Sequence, residues 1–373
     1  MRWLAAIVLS SLVMAAPALA GGAWESELEA RLAALEAEGD DEIGLYVQEL
    51  GAGGLTQRGQ PFGWRDDETW YLASLIKVPV AVALLARRET GELSLDEPLV
   101  LEERDYVDGA GPTNWAEPGT TLTLGELLEP MLTESDNTAT DLLIGRLGLG
   151  AVNARAQALS GGGLGPITTL LAVRREAYGQ LHPGARELTG MDFILLRQVE
   201  DDEQRLDALA ERLGVTPAAL ALPSLDAAFA AYYASGLNAG RLDAFGALLA
   251  AIGEGRALGP AATAELLAIM ARTTSGEARL KAGLGPDIRF AHKTGTQHLR
   301  SCDAGIAFRG AGAAERRWAV VACTRGERDI ERSEATLREV GRAIRESGAF
   351  GLEQGEHHQC QARAGQDKAE ECQ

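Results

Sequence analysis

Residues 71–80 read YLASLIKVPV, and in this stretch a serine and a lysine stand three positions apart at the start of an apolar run. If the run is helical, Ser74 and Lys77 lie on one face, about one turn apart. A hydroxyl becomes a good nucleophile when a neighbouring base takes its proton, and a lysine can be that base when burial or a nearby cation lowers its pKa. The alternative is a helix N-terminus with a capping serine and a solvated lysine. The pair alone does not decide between these two interpretations.

The chain uses arginine for nearly all of its positive charge. Its 35 basic residues comprise 31 arginines and four lysines, which are Lys77, Lys281, Lys293 and Lys368. Arginine stays protonated in proteins, whereas lysine can lose its proton. A lysine kept in this background indicates chemistry that arginine cannot perform, and two of the four fall in short motifs.

The bulk composition is that of a globular protein and argues against some partners. The 373 residues suffice for one large domain or two lobes, and a hydrophobic content of 46% can fill their cores. The formal net charge of -19 argues against binding to nucleic acid or to an anionic membrane surface.

The first 20 residues have the pattern of a secretory signal peptide. Arg2 supplies the positive start, residues 3–16 are apolar but too short to span a bilayer comfortably, and residues 18–20 read ALA. We expect cleavage after Ala20. No cysteine lies near the cut and no later apolar run is long enough for a membrane helix, so we expect no membrane anchor. The predicted location is outside the cytoplasm, in the periplasm if the source is Gram-negative.

A hairpin near the C-terminus predicts a disulfide. Residues 302–308 and 318–323 have the pattern of strands, and residues 310–315 form the loop between them. Paired positions of an antiparallel hairpin lie at equal distances from the loop centre, and Cys302 and Cys323 satisfy this condition. We predict that they are bonded in an oxidising compartment; two reduced, buried thiols are the alternative.

The C-terminal segment at 351–373 is polar and has almost no apolar residues, which predicts a disordered tail. Its Cys360 and Cys372 can pair or stay free, and the sequence does not decide. His357 and His358 can bind a metal loosely, but an incidental polar tail explains them better.

Two further motifs accompany the serine and lysine. Ser135-Asp136-Asn137 lies between a predicted helix that Thr123 caps and a second one at 138–147, and by itself it is a good capping turn. Residues 290–296 read FAHKTGT and precede the Cys302 strand, so we place Lys293 on a strand at a sheet edge.

On that strand, Gly295 would let another backbone approach closely. His292 alternates to the opposite face from Lys293, which favours a structural role for the histidine.

Ser-x-x-Lys, Ser-Asp-Asn and Lys-Thr-Gly, in this order, resemble the motifs of penicillin-recognising serine enzymes. The 61-residue spacing from Ser74 to Ser135 is similar to that of the class A β-lactamase branch. The resemblance covers roughly residues 24–349.

The resemblance implies a set of catalytic roles. Ser74 would attack the amide carbonyl, and Lys77 would accept or relay its proton. Lys293 would help to lower the pKa of Lys77 by like-charge repulsion and would attract the substrate carboxylate. Ser135 would pass a proton to the leaving nitrogen.

The resemblance also implies a binding site that needs no metal or organic cofactor. Asn137 would hold the catalytic lysine and the substrate's side-chain amide. The backbone N–H groups of Ser74 and Thr296 would form an oxyanion hole, and the edge strand at Thr294 and Gly295 would pair with the substrate as an added strand.

The implied fold is α/β in the α+β sense, of the β-lactamase/transpeptidase type, with an antiparallel sheet flanked by helices and an all-helical lobe. The catalytic domain would span 21–350. Its α/β lobe would take 24–73 and 285–350, and its helical lobe 74–284 with an insertion near 177–237.

The sequence departs from the family pattern where the acyl-enzyme would be hydrolysed. The class A branch has a glutamate on an omega-shaped loop and an asparagine four residues later. Glu176 is the nearest candidate for that base, but Gln180 stands at the asparagine position. The alternative is a surface glutamate paired with Arg174 or Arg175.

Two further features do not match the branch closely. The 158 residues from Ser135 to Lys293 are several tens more than expected, and helical patterns at 192–213 and 225–234 lie in the surplus. The arginine that binds the substrate carboxylate is also unplaced, with Arg300 only a loose match.

Three functions therefore remain open. The first is a β-lactamase that opens the β-lactam amide through an acyl-enzyme on Ser74. The second is a peptidoglycan D,D-peptidase or a slow penicillin-binding hydrolase, and the third is a non-catalytic sensor. The expected partner is a β-lactam or a peptidoglycan stem peptide, bound by a monomer.

Overall fold

The computed structural model describes residues 22–51 and 60–351. The predicted signal peptide and nearly all of the predicted tail, with its cysteines and histidines, lie outside the described residues.

The described residues form short and long strands in three sheets. The strands are β1 Glu42–Glu49, β2 Phe62–Trp64, β3 Trp70–Tyr71, β4 Pro98–Val100, β5 Thr121–Thr123, β6 Ala239–Gly240, β7 Ile288–Gln297, β8 Arg300–Arg309 and β9 Arg316–Arg325.

Helices make up most of the remainder. The α-helices are α1 Ala23–Glu38, α2 Lys77–Glu89, α3 Leu124–Thr133, α4 Asn137–Leu147, α5 Leu149–Ser160, α6 Leu170–Gly179, α7 Gly190–Arg197, α8 Asp202–Leu213, α9 Leu225–Tyr233, α10 Leu242–Gly253, α11 Pro260–Met270, α12 Leu280–Leu284 and α13 Ile330–Ser347.

The main sheet has five antiparallel strands in the order β2-β1-β9-β8-β7. Strands from both ends of the described chain build it, while the helices from α2 to α12 lie between them in sequence. β7 is an edge strand, as predicted for the Lys-Thr-Gly motif. The α/β fold with an antiparallel sheet flanked by helices is therefore confirmed.

Alternation along the central strands divides the core into two layers. On β1, Ile43, Leu45 and Val47 pack with α1, α12 and α13 on one face of the sheet. Tyr46 belongs to the larger layer formed with the helical region on the other face. Side chains of successive strand residues point to opposite faces, so this strand needs apolar residues at nearly every position.

The helix that follows the Ser74 turn is central to the larger layer. On α2, the residues from Val78 to Leu85 are buried on every side. A helix that is apolar all round belongs in the interior of a protein, so α2 fixes the floor on which the site is built.

The hairpin of β8 and β9 has the predicted register. Cys302 lies directly opposite Cys323, and the two form a disulfide. The Sγ atom of Cys302 also lies 3.6 Å from the carbonyl oxygen of Tyr71, so the crosslink sits directly beneath the strand that leads to Ser74.

Two regions differ from the sequence-based expectation. The helical pattern at 192–213 forms two helices, because Asp201 caps a new N-terminus and its side chain accepts from the backbone N–H of Gln204. The stretch at 99–118 is rich in glycine, proline and aspartate, which predicts an irregular segment, yet its start pairs as β4 with β5. Among the helices of the described residues, none has the length and apolarity needed to cross a membrane.

Candidate active site

Ser74 lies on a tight 3-10 turn at Ala73–Ile76, directly before α2. Ser74 is half-buried, whereas its neighbours in the turn are buried. Ile76 occupies the N-cap of α2, and no side chain caps that helix. The capping interpretation of the serine is therefore wrong.

Lys77 is the first residue of α2, and its side chain is fully buried. Its Nζ donates to the carbonyl oxygen of Ser135 at 2.7 Å, to the Ser135 hydroxyl at 3.0 Å and to Asn137 Oδ1 at 2.7 Å. The first and second motifs thus meet, although 58 residues separate Lys77 from Ser135. Lys77 is therefore not a solvated lysine, as the alternative interpretation had it.

Burial lowers the pKa of Lys77 to about 7, and the nearby Arg174 cation acts in the same direction. The carboxylates of Asp136 and Asp141 oppose this shift. A buried ammonium loses its hydration, which favours the neutral amine. Lys77 can therefore act as a base near neutral pH.

The Ser-Asp-Asn turn is held by its middle residue. Asp136 is fully buried, and its carboxylate accepts from the backbone N–H of Ala139 and of Thr113, both at 2.8 Å. The first of these contacts caps α4. The capping interpretation is thus correct for Asp136, and the cap directs Ser135 and Asn137 toward Lys77.

Lys293 on β7 is fully buried and donates to the carbonyl oxygen of Thr294 at 2.9 Å. Burial lowers its pKa well below the ordinary value, and the charges of Lys77 and Arg279 add to the shift. Repulsion between two titrating groups acts on both, but burial is the leading cause for each lysine. At Lys77 the cation that adds to burial is Arg174, so the predicted role of Lys293 in lowering the pKa of Lys77 stays a prediction.

Gly295 brings β7 against the nucleophile turn. A Cβ atom there would lie 2.7 Å from the Leu72 carbonyl oxygen and 3.2 Å from the Ser74 nitrogen. The prediction of a close backbone approach at Gly295 is confirmed. The Ser74 backbone nitrogen therefore lies close to β7 at Gly295.

A buried arginine, which the sequence analysis missed, supports this end of β7. Arg279 donates to the carbonyl oxygens of Gly295 and Cys302 at 3.1 and 3.0 Å, and to Thr296 Oγ1 at 2.7 Å. It lies in no motif; only its place between α11 and β7 could have suggested it. Arg300, the earlier candidate, instead lies over the Tyr233 ring.

The neighbouring threonine and histidine have separate partners. The hydroxyls of Thr294 and Ser275 lie 2.6 Å apart. His292 is fully buried, and its Nδ1 lies 2.7 Å from Asp303 Oδ1. The structural role expected for His292 agrees with this pairing.

Three residues with positive φ surround the nucleophile. Ala73 has a φ of 48°, Ser135 of 62° and Asn238 of 51°. The carbonyl oxygen of Asn238 accepts from the Leu72 N–H at 2.9 Å. Residues other than glycine adopt a positive φ at a cost in free energy. Contacts with the surrounding residues therefore hold the Ser74 turn and the Ser135 turn in place.

Glu176 does not join this group. It lies on α6, where its carboxylate accepts from Arg186 at 3.2 Å and its side chain is 39% exposed. Arg174, two residues earlier, points inward and pairs with Asp108 at 2.5 Å. Residues two apart on an α-helix point about 200° apart, so Glu176 faces away from the cluster. It forms a surface ion pair, as in its alternative, but the partner is Arg186 and not Arg174 or Arg175.

The start of α6 is bound to another carboxylate. Asp141 on α4 accepts from the backbone N–H of Leu170 at 2.6 Å and of Leu171 at 2.9 Å. Burial raises the pKa of Asp141 to about 6, against these two hydrogen bonds. Its oxygens are thus engaged in holding α6.

One group of acids and a histidine in the described residues is close enough to hold a cation. Asp202, Asp226 and His298 offer ligand atoms within 4.8 Å of one another. Asp202 already pairs with Arg205, and Asp226 with Arg328. These arginines supply the positive charge, so the group is satisfied as an ion-pair network.

Comparison with known proteins gives this geometry a family. The sequence matches the profile of the "Beta-lactamase enzyme family" over residues 27–187 and 193–347, which is more than half of the chain. The chain belongs to this family. The matched ranges contain all three motifs, and the gap between them is a few residues at the start of α7.

Relatives within the β-lactamase family match over different lengths. A β-lactamase of Rhodobacter capsulatus is 36% identical over 123 residues, which are 32% of this chain and 39% of the relative. β-Lactamase SME-1 of Serratia marcescens is 30% identical over 37% of this chain and 45% of its own. A β-lactamase of Mycobacterium tuberculosis is 26% identical over 73% of this chain and 69% of its own. The chain thus spans less than half of the first two relatives.

Solved structures share the fold of this β-lactamase family member. The β-lactamase of Sphaerobacter thermophilus has a TM-score of 0.62 and 23% identity, with 87% of this chain and 97% of that chain covered. PBP-A has a TM-score of 0.60 and 22% identity, with coverage of 87% and 96%. At these identities the likeness concerns the fold.

Proposed function

We propose that this protein is a serine hydrolase that opens the β-lactam amide through an acyl-enzyme on Ser74. The observation that carries the proposal is the set of three hydrogen bonds from the buried Lys77 to Ser135 and Asn137. They hold an amine with a pKa of about 7 one turn from the serine.

In the proposed acylation, neutral Lys77 takes the hydroxyl proton of Ser74 as its Oγ bonds to the carbonyl carbon. The negative charge that develops on the carbonyl oxygen is stabilised by the backbone N–H groups of Ser74 and Thr296; each such donor contributes about 3–4 kcal/mol in other enzymes. The carbon–nitrogen bond then breaks. The nitrogen takes the proton of the Ser135 hydroxyl, and Ser135 recovers a proton from Lys77. Ser74 is left as an ester, and the leaving amine carries one new N–H bond.

Cationic and hydroxyl groups on β7 would receive the substrate carboxylate. Lys293 supplies an amine, Thr294 and Thr296 supply hydroxyls, and Arg279 holds the Thr296 hydroxyl in place. A bound carboxylate would favour the protonated form of Lys293 and so offset the burial of that amine. The free edge of β7 can also pair with the substrate backbone.

Structural neighbours support β-lactams as the substrate class. A variant of PBP-A was solved as an acyl-enzyme complex with penicillin G. We extend this chemistry to the present chain, as an exported monomer that acts in the periplasm.

A second candidate, a slow penicillin-binding hydrolase or D,D-peptidase, rests on α6. Glu176 is paired with Arg186 on the outside, and Asp141 is engaged with the backbone of α6. A water molecule that attacks the ester at Ser74 needs a base, and neither carboxylate is free for that step. On this reading the acyl-enzyme forms readily and persists.

Intact-mass spectra after mixing with penicillin G, alongside turnover of a chromogenic β-lactam, test the proposal. A mass increase equal to the whole penicillin, mapped to Ser74, is expected. Turnover with a short-lived adduct supports the β-lactamase, and an adduct that lasts for many minutes supports the second candidate. A protein that gains no mass at any penicillin concentration and does not turn over the chromogenic β-lactam contradicts both.

A further inference from the structure

Helix α9 packs against the turn that ends β7. It lies in the stretch near 177–237 that is expected to be an insertion, and none of the proposed catalytic roles uses it. Asp226, Phe229 and Tyr233 stand three and four positions apart along this helix. Residues with this spacing share one face of an α-helix. All three contact His298, the first residue of the turn between β7 and β8.

The three contacts hold His298 by its backbone and by its ring. The Tyr233 hydroxyl donates to the His298 carbonyl oxygen at 2.8 Å. The Phe229 ring stacks on the imidazole, with the two ring centroids 5.0 Å apart. His298 Nε2 contacts one oxygen of the Asp226 carboxylate, and the other oxygen pairs with Arg328. One face of α9 therefore fixes both the main chain and the side chain of this turn.

The turn between β7 and β8 needs such support. Gln297 pairs with Arg300, so His298 and Leu299 alone make the turn. Leu299 has a φ of 54°, in the left-handed region. A residue with a Cβ atom adopts this region at a cost in free energy. Contacts from outside the hairpin, such as those of α9, therefore stabilise this conformation.

The last turn of α9 also packs on the strand that leads to the nucleophile. The centroid of the Tyr71 ring lies 4.6 Å from that of Tyr233 and 5.7 Å from that of Tyr232. The Tyr232 hydroxyl accepts from Asn238 Nδ2 at 3.0 Å, and the carbonyl oxygen of Asn238 accepts from the Leu72 N–H. Helix α9 thus supports the strand before the nucleophile as well as the end of β7.

Tyr233 is the residue that contacts both sides. Its hydroxyl reaches the turn after β7, and its ring packs on Tyr71. The guanidinium of Arg300, at the start of β8, lies 4.8 Å from the centre of the same ring. Burial raises the pKa of the Tyr233 phenol, so its hydroxyl stays a hydrogen-bond donor.

Each of these two sides would carry one donor of the proposed oxyanion hole. Ser74 comes three residues after Tyr71, and Thr296 comes two residues before His298. Donors stabilise a developing negative charge best when they are already in place around it. A change at Tyr233 would therefore alter the distance between the two N–H groups without touching either of them.

We propose that Tyr233 is a positioning residue that sets the spacing of the two oxyanion donors, because it holds the β7–β8 turn against the strand before Ser74. The inference rests on the proposed function, since the oxyanion forms when Ser74 is acylated. Tyr233 does not contact the substrate; it acts through His298 and Tyr71. The inserted helix α9 would thus contribute to acylation.

The test uses Tyr233→Phe, which removes the hydrogen bond to the turn and keeps the ring on Tyr71. Stopped-flow acylation by penicillin G gives the dissociation constant of the non-covalent complex and the acylation rate constant at saturation. This rate constant does not depend on the amount of folded protein. We expect it to fall about tenfold, less than the roughly 10²–10³-fold cost of losing an oxyanion donor outright. The dissociation constant should stay within about twofold of the wild type.

Phenylboronic acid provides a second readout. Its boron bonds to the Ser74 oxygen as the hydroxyl gives up its proton, and a hydroxyl on the tetrahedral boron then takes the place of the oxyanion. Analogues of a transition state depend on the groups that stabilise that state. The affinity of Tyr233→Phe for phenylboronic acid should therefore fall by about the same factor as the acylation rate constant. A purely structural role would lower the melting temperature without this parallel.

Two further variants complete the design. His298→Ala removes the imidazole that contacts Phe229 and Asp226, and it should lower the acylation rate constant in the same direction. Tyr46→Phe is the matched control, since it removes a buried tyrosine hydroxyl that donates to Gln48 at 2.7 Å. Tyr46 lies on β1, which β9 and β8 separate from β7, so this variant should keep the wild-type rate constant.

The outcomes separate the two proposals. If the wild type is acylated and both Tyr233→Phe and His298→Ala keep its rate constant, the inference is wrong and the proposed function stands. The inference is also wrong if Tyr46→Phe slows acylation as much as Tyr233→Phe does, or if Tyr233→Phe weakens only the non-covalent complex. If penicillin G does not acylate the wild type at all, the proposed function is wrong and the inference fails with it.

Discussion

The residues that would assist acylation of Ser74 point toward one another, whereas the glutamate on α6 that was considered for hydrolysis of the acyl-enzyme points away from them. Lys77, Ser135 and Asn137 come from two separate elements and are joined by three hydrogen bonds at a buried point. On α6, the one glutamate considered for hydrolysis is paired outward with Arg186. The first group is complete in the described structure, and the second has no carboxylate free for the reaction.

This difference separates two halves of one catalytic cycle. Lys77 is positioned by several contacts, so its geometry does not depend on any single neighbour. A hydrolytic base on α6 would depend on one side chain pointing one way. A family member can thus keep acylation while its deacylation rate changes greatly.

The largest expected effect is at the nucleophile. Ser74→Ala should abolish covalent labelling by penicillin G and lower the acylation rate by at least about 10⁴-fold, because no other group can form the ester. Intact-mass spectra measure this directly. Ser94→Ala, an exposed serine, is the control and should label like the wild type. Labelling of the Ser74→Ala protein by penicillin G would show that another residue is the nucleophile. The contrast between the acylating residues and α6 would then no longer hold.

The next effect concerns the buried base. Lys77→Arg should lower the acylation rate by about 10²–10⁴-fold, because arginine keeps its proton and cannot act as a base. Lys281→Arg, at an exposed lysine paired with Glu277, should not change the rate.

The pH profile sharpens this prediction. With a Lys77 pKa of about 7, the wild-type acylation rate should rise as pH increases toward 7 and level off above it, since only the neutral amine takes a proton. Stopped-flow acylation between pH 5 and 9 measures the profile. A rate that falls with rising pH across this range would contradict the role of Lys77 as the base.

A smaller effect is expected from the arginine beneath β7. Arg279→Lys loses the planar fork that reaches Gly295, Cys302 and Thr296, so acylation efficiency should fall about tenfold while the protein stays folded. Arg289→Lys is the control, because Arg289 lies on β7 itself and its side chain is 64% exposed. Equal losses in both variants would mean that Arg279 has no special part in shaping the site.

The smallest effect is the one that tests α6. Glu176→Gln should leave the deacylation rate within about twofold of the wild type, since it removes only an exposed ion pair. Arg186→Gln breaks the same pair from the other side and should behave alike. The decay of the penicillin adduct measures both. A slowing in Glu176→Gln alone would restore Glu176 as the hydrolytic base and remove the contrast between the two regions.

The sequence predicted those features that short-range patterns encode. Alternation and symmetry gave the β8–β9 hairpin and the Cys302–Cys323 bond, and Thr123 caps α3 as predicted. The role of Gly295 was predicted correctly because so close a backbone approach requires a residue without a Cβ atom.

What the sequence did not predict depends on long-range placement. Arg279 lies 14 residues before Lys293 in an unremarkable segment, and only the packing of its helix end against β7 gives it three acceptors. Glu176 is a glutamate in the expected region of the sequence. The direction in which its side chain points depends on how α6 is oriented, and Asp141 on α4 holds the start of α6. Orientation of this kind is a tertiary property.

The positive φ angles of Ala73 and Ser135 have a consequence for engineering this protein. Each such residue costs of order 1–3 kcal/mol, which the rest of the fold must offset. Stabilising substitutions far from these turns can raise the melting temperature without loss of activity. Substitutions that relax the turns trade rate for thermostability, so the two positions mark where directed evolution for heat resistance should leave the chain untouched.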